Sequence, residues 1–228
     1  MEDLFQTLLK TFDDLGLWKD GVELIGSWSF LLYQRHLGVR ALPLRTQDID
    51  FLLPWPYRGR MVDLSARLAE LGFHSAMTSG GSIYFVHPEL KLEFLTPERG
   101  KGGQDFRLVK PLGIKAIPLR FMDILLEDSM IISSDGLKAR VPAPMNFCIH
   151  KLMIAQRRPA AAKREKDIQQ AVYILGILDP VEFAKLTTAL PPKWRALVRM
   201  SLESAWEMFP LERGTLAKFS IAPQMLKD

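Results

Sequence analysis

Cysteine is almost missing from this chain: Cys148 stands alone among 228 residues. A disulfide framework and a cysteine-based zinc site are both excluded by that count. No uncharged apolar run reaches the roughly 18 residues of a membrane-spanning helix, so no transmembrane helix is expected. The four histidines, His36, His74, His87 and His150, fall at no metal-ligand spacing and are read as structural. Glu2 and Asp3 stand where a secretory signal would carry basic residues, so a cytoplasmic location without a membrane partner is expected. Internal repeats and low-complexity segments are absent too. A strong excess of one charge is also lacking: 30 Lys+Arg against 26 Asp+Glu leaves a net +4. That surplus permits a nucleotide or nucleic-acid partner without demanding one. What the chain does have is ordinary globular composition, 48% hydrophobic and 25% charged, which argues against disorder and provides a core without staples.

Periodicity divides the chain. Leu4, Leu8, Phe12 and Leu15 recur at helical spacing over 3–16. Val22 to Ile25 reads as a strand, Gly26-Ser27 as a turn of small residues, and the stretch to about Leu37 as a helix. Thr46 to Leu53 reads as a strand stopped by Pro54 and Pro56. Met61, Leu64, Leu68 and Leu71 mark a helix ended by Gly72. Three short strands follow, Phe73 to Met77, Ser82 to Val86 and Lys91 to Leu95, the first two joined through Gly80-Gly81. Residues 98–105 form a glycine-rich charged loop. Beyond Pro142 and Pro144 the pattern turns helical: Met145 to Arg157, Lys163 to Leu178, 181–190 and 193–209, with Pro159 as a breaker. The expectation is an α+β domain over 1–141 followed by a helical domain over 142–228.

The chemistry concentrates between Ile25 and Leu53. On a strand, Asp48 and Asp50 leave one face while Ile49 and Phe51 leave the other. Their Cα atoms lie ~6.5–7 Å apart, and two carboxylates so placed repel unless a cation joins them. Hard oxygen donors of this kind suit Mg²⁺ or Mn²⁺. Glu93, between Leu92 and Phe94, offers a third carboxylate on a half-buried strand. Three acids can hold two metal ions ~3.5–4 Å apart, and Glu93 also suits a general base. Glu89, just after Pro88, is its rival and reads as a turn residue. Gly26-Ser27 at a strand-to-helix junction presents amides and a hydroxyl to an anion, and Ser27 equally suits a plain helix cap. Asp63, Asp123 and Asp128 read as surface residues; Trp194, Trp206 and Phe209 read as packing for the helical part.

Gly26-Ser27, then Arg45-Thr46-x-Asp48-Ile49-Asp50, then Glu93, resembles the signature of the polymerase-β-like nucleotidyltransferase superfamily. The Arg-Thr-x-Asp-Ile-Asp form is most similar to the bacterial branch that includes type IV toxin–antitoxin nucleotidyltransferases and uncharacterised relatives. His150-Lys151-Leu152 and Lys163-Arg164-Glu165-Lys166-Asp167 resemble the Lys and basic-x-x-Asp stretches of that branch's helical unit. The resemblance spans residues 22–178. It implies a nucleotidyltransferase fold, a mixed sheet flanked by helices, with the helical domain closing the nucleotide cleft. It also implies transfer of a nucleoside monophosphate from an NTP, with release of pyrophosphate, to an acceptor that is RNA, a protein hydroxyl or a small molecule. Asp48, Asp50 and Glu93 become the catalytic metal ligands for two Mg²⁺ or Mn²⁺ ions. Gly26, Ser27, Arg45, Thr46, Lys151, Arg164, Lys166 and Asp167 become the nucleotide and phosphate contacts.

The chain departs from the pattern in three places. The turn is Gly-Ser rather than Gly-Gly, residues 38–45 (GVRALPLR) lengthen the interval to Asp48, and Asp167 follows a lysine. Helical register against Ile168, Ala171 and Leu175 turns Arg164 and Asp167 inward and Glu165 and Lys166 outward. Lys151, between Phe147 and Ile154, leaves a partly apolar face. A competing reading is a non-catalytic nucleic-acid-binding module using the basic helices around 157–166.

Overall fold

The computed structural model describes residues 2–43, 46–77, 83–100, 102–103, 106–134 and 136–219. Arg45, Gly80-Gly81, Ser82 and parts of the 98–105 loop lie outside the described residues. Helix α1 (Glu2–Asp14) buries Phe5, Leu8, Leu9 and Phe12, so Leu8 and Phe12 of the expected stripe face the core while Leu4 is half-buried and Leu15 falls after the helix, and Glu2 and Asp3 sit at its positive end. Strand β1 (Glu23–Ile25) runs straight into α2 (Gly26–His36), and β2 (Asp48–Leu52) follows. Next come α3 (Leu64–Glu70), β3 (His74–Met77), β4 (Ile83–Val86), β5 (Lys91–Pro97), β6 (Arg107–Val109), β7 (Ile114–Leu119) and α4 (Asp123–Glu127). The hairpin β8 (Ser129–Ser134) and β9 (Leu137–Pro142) pairs separately.

The main sheet has the order β1-β2-β5-β4-β3, with β7 beside the end of β5 and β6 beside β7. It is mixed: β2/β5 and β5/β7 are parallel, the remaining pairs antiparallel. Ile49, Phe51, Leu92 and Phe94, all 0% exposed, supply one face of the two central strands. Aromatic rings knit that side: Phe12 stacks on Phe51 at 4.3 Å and Phe51 on Phe94 at 5.7 Å. Alternation then obliges their chain neighbours Asp48, Asp50 and Glu93 to leave the opposite face.

Helix α3 begins later than the Met61 periodicity suggests. The Asp63 carboxylate accepts a hydrogen bond from the Ala66 amide at 3.0 Å, so the helix starts at Leu64 and Met61 stays 87% exposed. Asp63 is thus a cap, and not simply a surface acid. Strands β6 to β9 have no counterpart in the sequence reading. In β9 Leu137, Ala139 and Val141 alternate with Lys138 and Arg140, a signal left unused, whereas β7 carries Pro118, which ordinarily argues against a strand.

The chain divides into two units, residues 1–32 with 44–142 and residues 33–43 with 143–228. The second is helical: α5 (Pro144–Ala155), α6 (Ala161–Leu175), α7 (Pro180–Ala189), α8 (Pro192–Met208) and α9 (Arg213–Ala217). Proline occupies an early position in α5, α7 and α8, where its missing N–H is no loss. Residues 33–43 belong with this unit: Tyr33 meets Phe147 edge-on at 5.3 Å, and the Arg40 guanidinium lies 5.0 Å over the Tyr173 ring and pairs with Glu212. Among the described residues no helix is long and apolar enough to cross a membrane.

Candidate active site

The junction between β1 and α2 has no loop, and one residue makes that possible. Gly26 takes φ +71°, and a Cβ there would lie 2.6 Å from Oδ2 of Asp50. Any side chain would therefore meet both left-handed strain and a carboxylate oxygen. The Ser29 hydroxyl donates to the Gly26 carbonyl at 2.9 Å, tying the first turn. Ser27, half-buried, is the second residue of the helix. Antiparallel pairing of Ile25 with Asp50 sets this turn beside the acids.

Parallel pairing of β2 with β5 puts Asp48 opposite Lys91 and Asp50 opposite Glu93, all on one face. Glu93 rather than Glu89 therefore neighbours the Asp pair; the Glu89 amide donates to Nδ1 of His87 at 3.1 Å in the turn before β5. The Lys91 ammonium donates to Glu93, stands 3.8 Å from Oδ1 of Asp48 and lies 4.7 Å over the Tyr84 ring. Partial burial would lower the pKa of Lys91, but the hydrogen bond and charge of Glu93, with Asp48 behind it, outweigh this and raise it.

The three carboxylates expected to share metal line one face, with Lys91 between Asp48 and Glu93. Among the described residues no three His, Cys, Asp or Glu side chains are grouped to hold a metal ion. Lys91 supplies positive charge to two of these carboxylates. The donor set itself still fits a divalent cation. Its oxygens are hard, Asp48 is 62% exposed, Gly26 presents no Cβ to Asp50, and Lys91 rides on a flexible four-carbon stem. Thr46 donates its hydroxyl to the Asp48 carbonyl at 3.3 Å, a backbone contact within the approach to β2.

In the helical unit Lys151 and Asp167 are both buried and meet at 2.7 Å. Arg158 donates Nε to the other carboxylate oxygen of Asp167, also at 2.7 Å. Burial alone would raise the Asp167 pKa, yet the charges and hydrogen bonds of Lys151 and Arg158 hold it below the ordinary range. Neighbouring His150 is buried, and desolvation with the Lys151 charge pushes its pKa down to about 3, so it is neutral. Two expectations from helical register are corrected here. Arg164 is exposed and Lys166 half-buried, whereas Asp167 is buried. Residues 161–165 of α6 are all exposed, so alignment with the apolar stripe does not bury a side chain in that first turn. Arg158, which register did not single out, is the second cation on Asp167. Its only signal in the sequence was membership of the 157–166 basic run.

Set beside known proteins, the chain belongs to the nucleotidyltransferase family, whose model matches residues 4–190. It is accordingly a transferase. Its fold resembles that of an antigenic nucleotidyltransferase-like protein from Paracoccidioides brasiliensis, with TM-score 0.54 and 14% identity over 93% of this chain and 90% of that one. A solution structure of the antibiotic-resistance factor ANT(2'')-Ia aligns with TM-score 0.46 and 16% identity over 90% of this chain and 94% of that one. No curated protein sequence matches the chain significantly. The fold is the nucleotidyltransferase fold expected from the sequence, a mixed sheet flanked by helices with a helical unit after it.

Proposed function

We propose that the protein moves a nucleoside monophosphate from an NTP to an acceptor hydroxyl in a reaction that depends on Mg²⁺ or Mn²⁺. The observation that carries this reading is the row of Asp48, Asp50 and Glu93 on one sheet face, with Gly26 packed against Asp50. The acceptor oxygen bonds to the α-phosphorus, the bridging bond to the β-phosphate breaks, and pyrophosphate leaves with the electron pair. Glu93, freed of Lys91, takes the acceptor proton. Asp48 and Asp50 would hold the divalent cation, two ions when Glu93 joins them. Such an ion would neutralise charge developing on the transferred phosphoryl group. Amides at Gly26 and Ser27 would receive phosphate oxygens at the start of α2. In the helical unit Lys151 and Arg158 exceed the Asp167 charge by one, and this group with Arg164 and Lys166 is the candidate for triphosphate charge.

The test is incubation of the protein with Mg²⁺, each α-labelled NTP in turn, and total RNA, with Asp48→Asn and Asp50→Asn as controls. The expected result is label transferred from one or more NTPs and lost in both variants. RNA bound by the protein while every NTP stays intact and the RNA stays unlabelled would favour a nucleic-acid-binding module. Equal transfer by the wild type and both variants would remove the acids from the chemistry.

A further inference from the structure

Lys91 is the one residue of the acid row that belongs to no metal or phosphate role considered so far. It pairs with Asp48 in the strand register, precedes Glu93 by two residues and therefore shares their face. Its ammonium donates to Glu93 and sits 3.8 Å from Asp48, which is where a cation shared by these two carboxylates would stand. The three acids carry −3 and the lysine brings the row to −2. Like charges on neighbouring strands destabilise a sheet, and this tethered charge offsets that in the absence of metal.

We propose that Lys91 is the built-in cation of this site: its ammonium holds Asp48 and Glu93 in the metal-free protein, and divalent metal binds only in competition with it. The inference rests on the metal-dependent reading above and assigns regulation to the same site. Three features support it. The side chain is 34% exposed, so the ammonium has a way out to solvent. The Tyr84 ring, 4.7 Å beneath it, keeps a favourable contact for the displaced charge. Lysine is a compact point charge on a flexible stem, suited to leaving and returning, whereas a guanidinium fork would clamp a carboxylate. Displacement also breaks the Lys91 hydrogen bond to Glu93, so that carboxylate takes up its role at the site only once the metal is bound. Metal affinity in the wild type is then set low, and the acids are kept from binding stray cations in the absence of substrate.

The experiment compares wild type, Lys91→Gln, Lys91→Arg and Asp48→Asn for Mn²⁺ binding by calorimetry, without nucleotide, and for thermal unfolding in chelator and in Mn²⁺. A unit charge removed at this distance from a partly exposed site should tighten Mn²⁺ binding by about tenfold or more in Lys91→Gln. In chelator that variant should melt below wild type, and Mn²⁺ should restore it. Lys91→Arg, which keeps the charge in a fork that clamps carboxylates, should bind Mn²⁺ no more tightly than wild type and also shows whether the position tolerates substitution. Asp48→Asn should lose binding. Equal Mn²⁺ affinity in wild type and Lys91→Gln, or weaker binding in the latter, overturns the proposal and leaves the metal site standing. Absence of Mn²⁺ binding in every protein overturns both the proposal and the metal-dependent reading.

Discussion

Glu23 offers a sharp test of how burial governs this sheet. It lies on β1, 0% exposed, with Arg140 Nε donating to Oε1 at 3.4 Å and no hydrogen-bond partner for Oε2 among the described residues. Burial raises its pKa; Ser129 and Arg140 pull the other way without prevailing, and the value moves from 4.5 to about 7. At about 1.4 kcal/mol per tenfold, that gap corresponds to about 3 kcal/mol. Because the folded value is raised, the stabilisation is fully present below pH 4.5 and is lost as pH rises through about 7. Glu23→Gln is neutral throughout and keeps an oxygen for Arg140. Urea unfolding should find it more stable than wild type by about 2–3 kcal/mol at pH 8, with the difference nearly closed at pH 4. Equal or lower stability of the variant at pH 8 would refute the reasoning, showing that Glu23 folds as a well-paired carboxylate with Arg140.

Other outcomes follow from the same geometry. Gly26→Ala should cost about 1–3 kcal/mol in urea unfolding from left-handed strain alone, and should also lose Mn²⁺ binding because the new methyl displaces Asp50; a fully stable variant with normal binding would show that the turn tolerates a side chain. Asp167→Ala strands the buried Lys151 and should cost about 3–5 kcal/mol. Since the Asp167 pKa is depressed, its contribution holds at neutral pH and is lost only as pH falls below about 4, so acid unfolding should shift between wild type and this variant chiefly above that pH. Asp20 accepts hydrogen bonds from Tyr57, the Arg60 amide and the Arg60 guanidinium, and burial with Asp20's charge raises the Tyr57 pKa. Asp20→Asn should therefore lower the Tyr57 titration midpoint, read by ultraviolet absorbance, while an unmoved midpoint would leave burial as the whole cause.

The elements legible in the sequence are those whose signal is local. Helix α1 announced itself by a stripe from Leu4 to Phe12, β2 and β5 by apolar residues alternating with Asp48, Asp50 and Glu93, and α5 to α8 by proline punctuation. Strands β6 to β9 carry a local signal that the periodicity reading passed over: β8 pairs with β9 from Ser134 to Leu137, across the sequence Asp135-Gly136, and β6 with β7 from Val109 to Ile114, while Pro118 masks β7. Register on α6 placed Asp167 and misplaced Arg164, since a helix period says which residues share a face but not where along the helix a neighbour ends.

The candidate site divides along the same line. Residue order and strand parity alone determined that Asp48 and Asp50 share a face, that Gly26-Ser27 opens a helix, and that Glu93 leaves its strand opposite the core. Only the tertiary structure decided what those groups touch. Parallel pairing of β2 with β5 brought Lys91 between Asp48 and Glu93, packing of β1 against β2 set Gly26 on Asp50, and the pairing of α5 with α6 joined Lys151 to Asp167 across sixteen residues. Side-chain direction follows from the local backbone, whereas the partner that neutralises a charge is found wherever the chain returns to meet it, and that return is set by the burial of the whole apolar face.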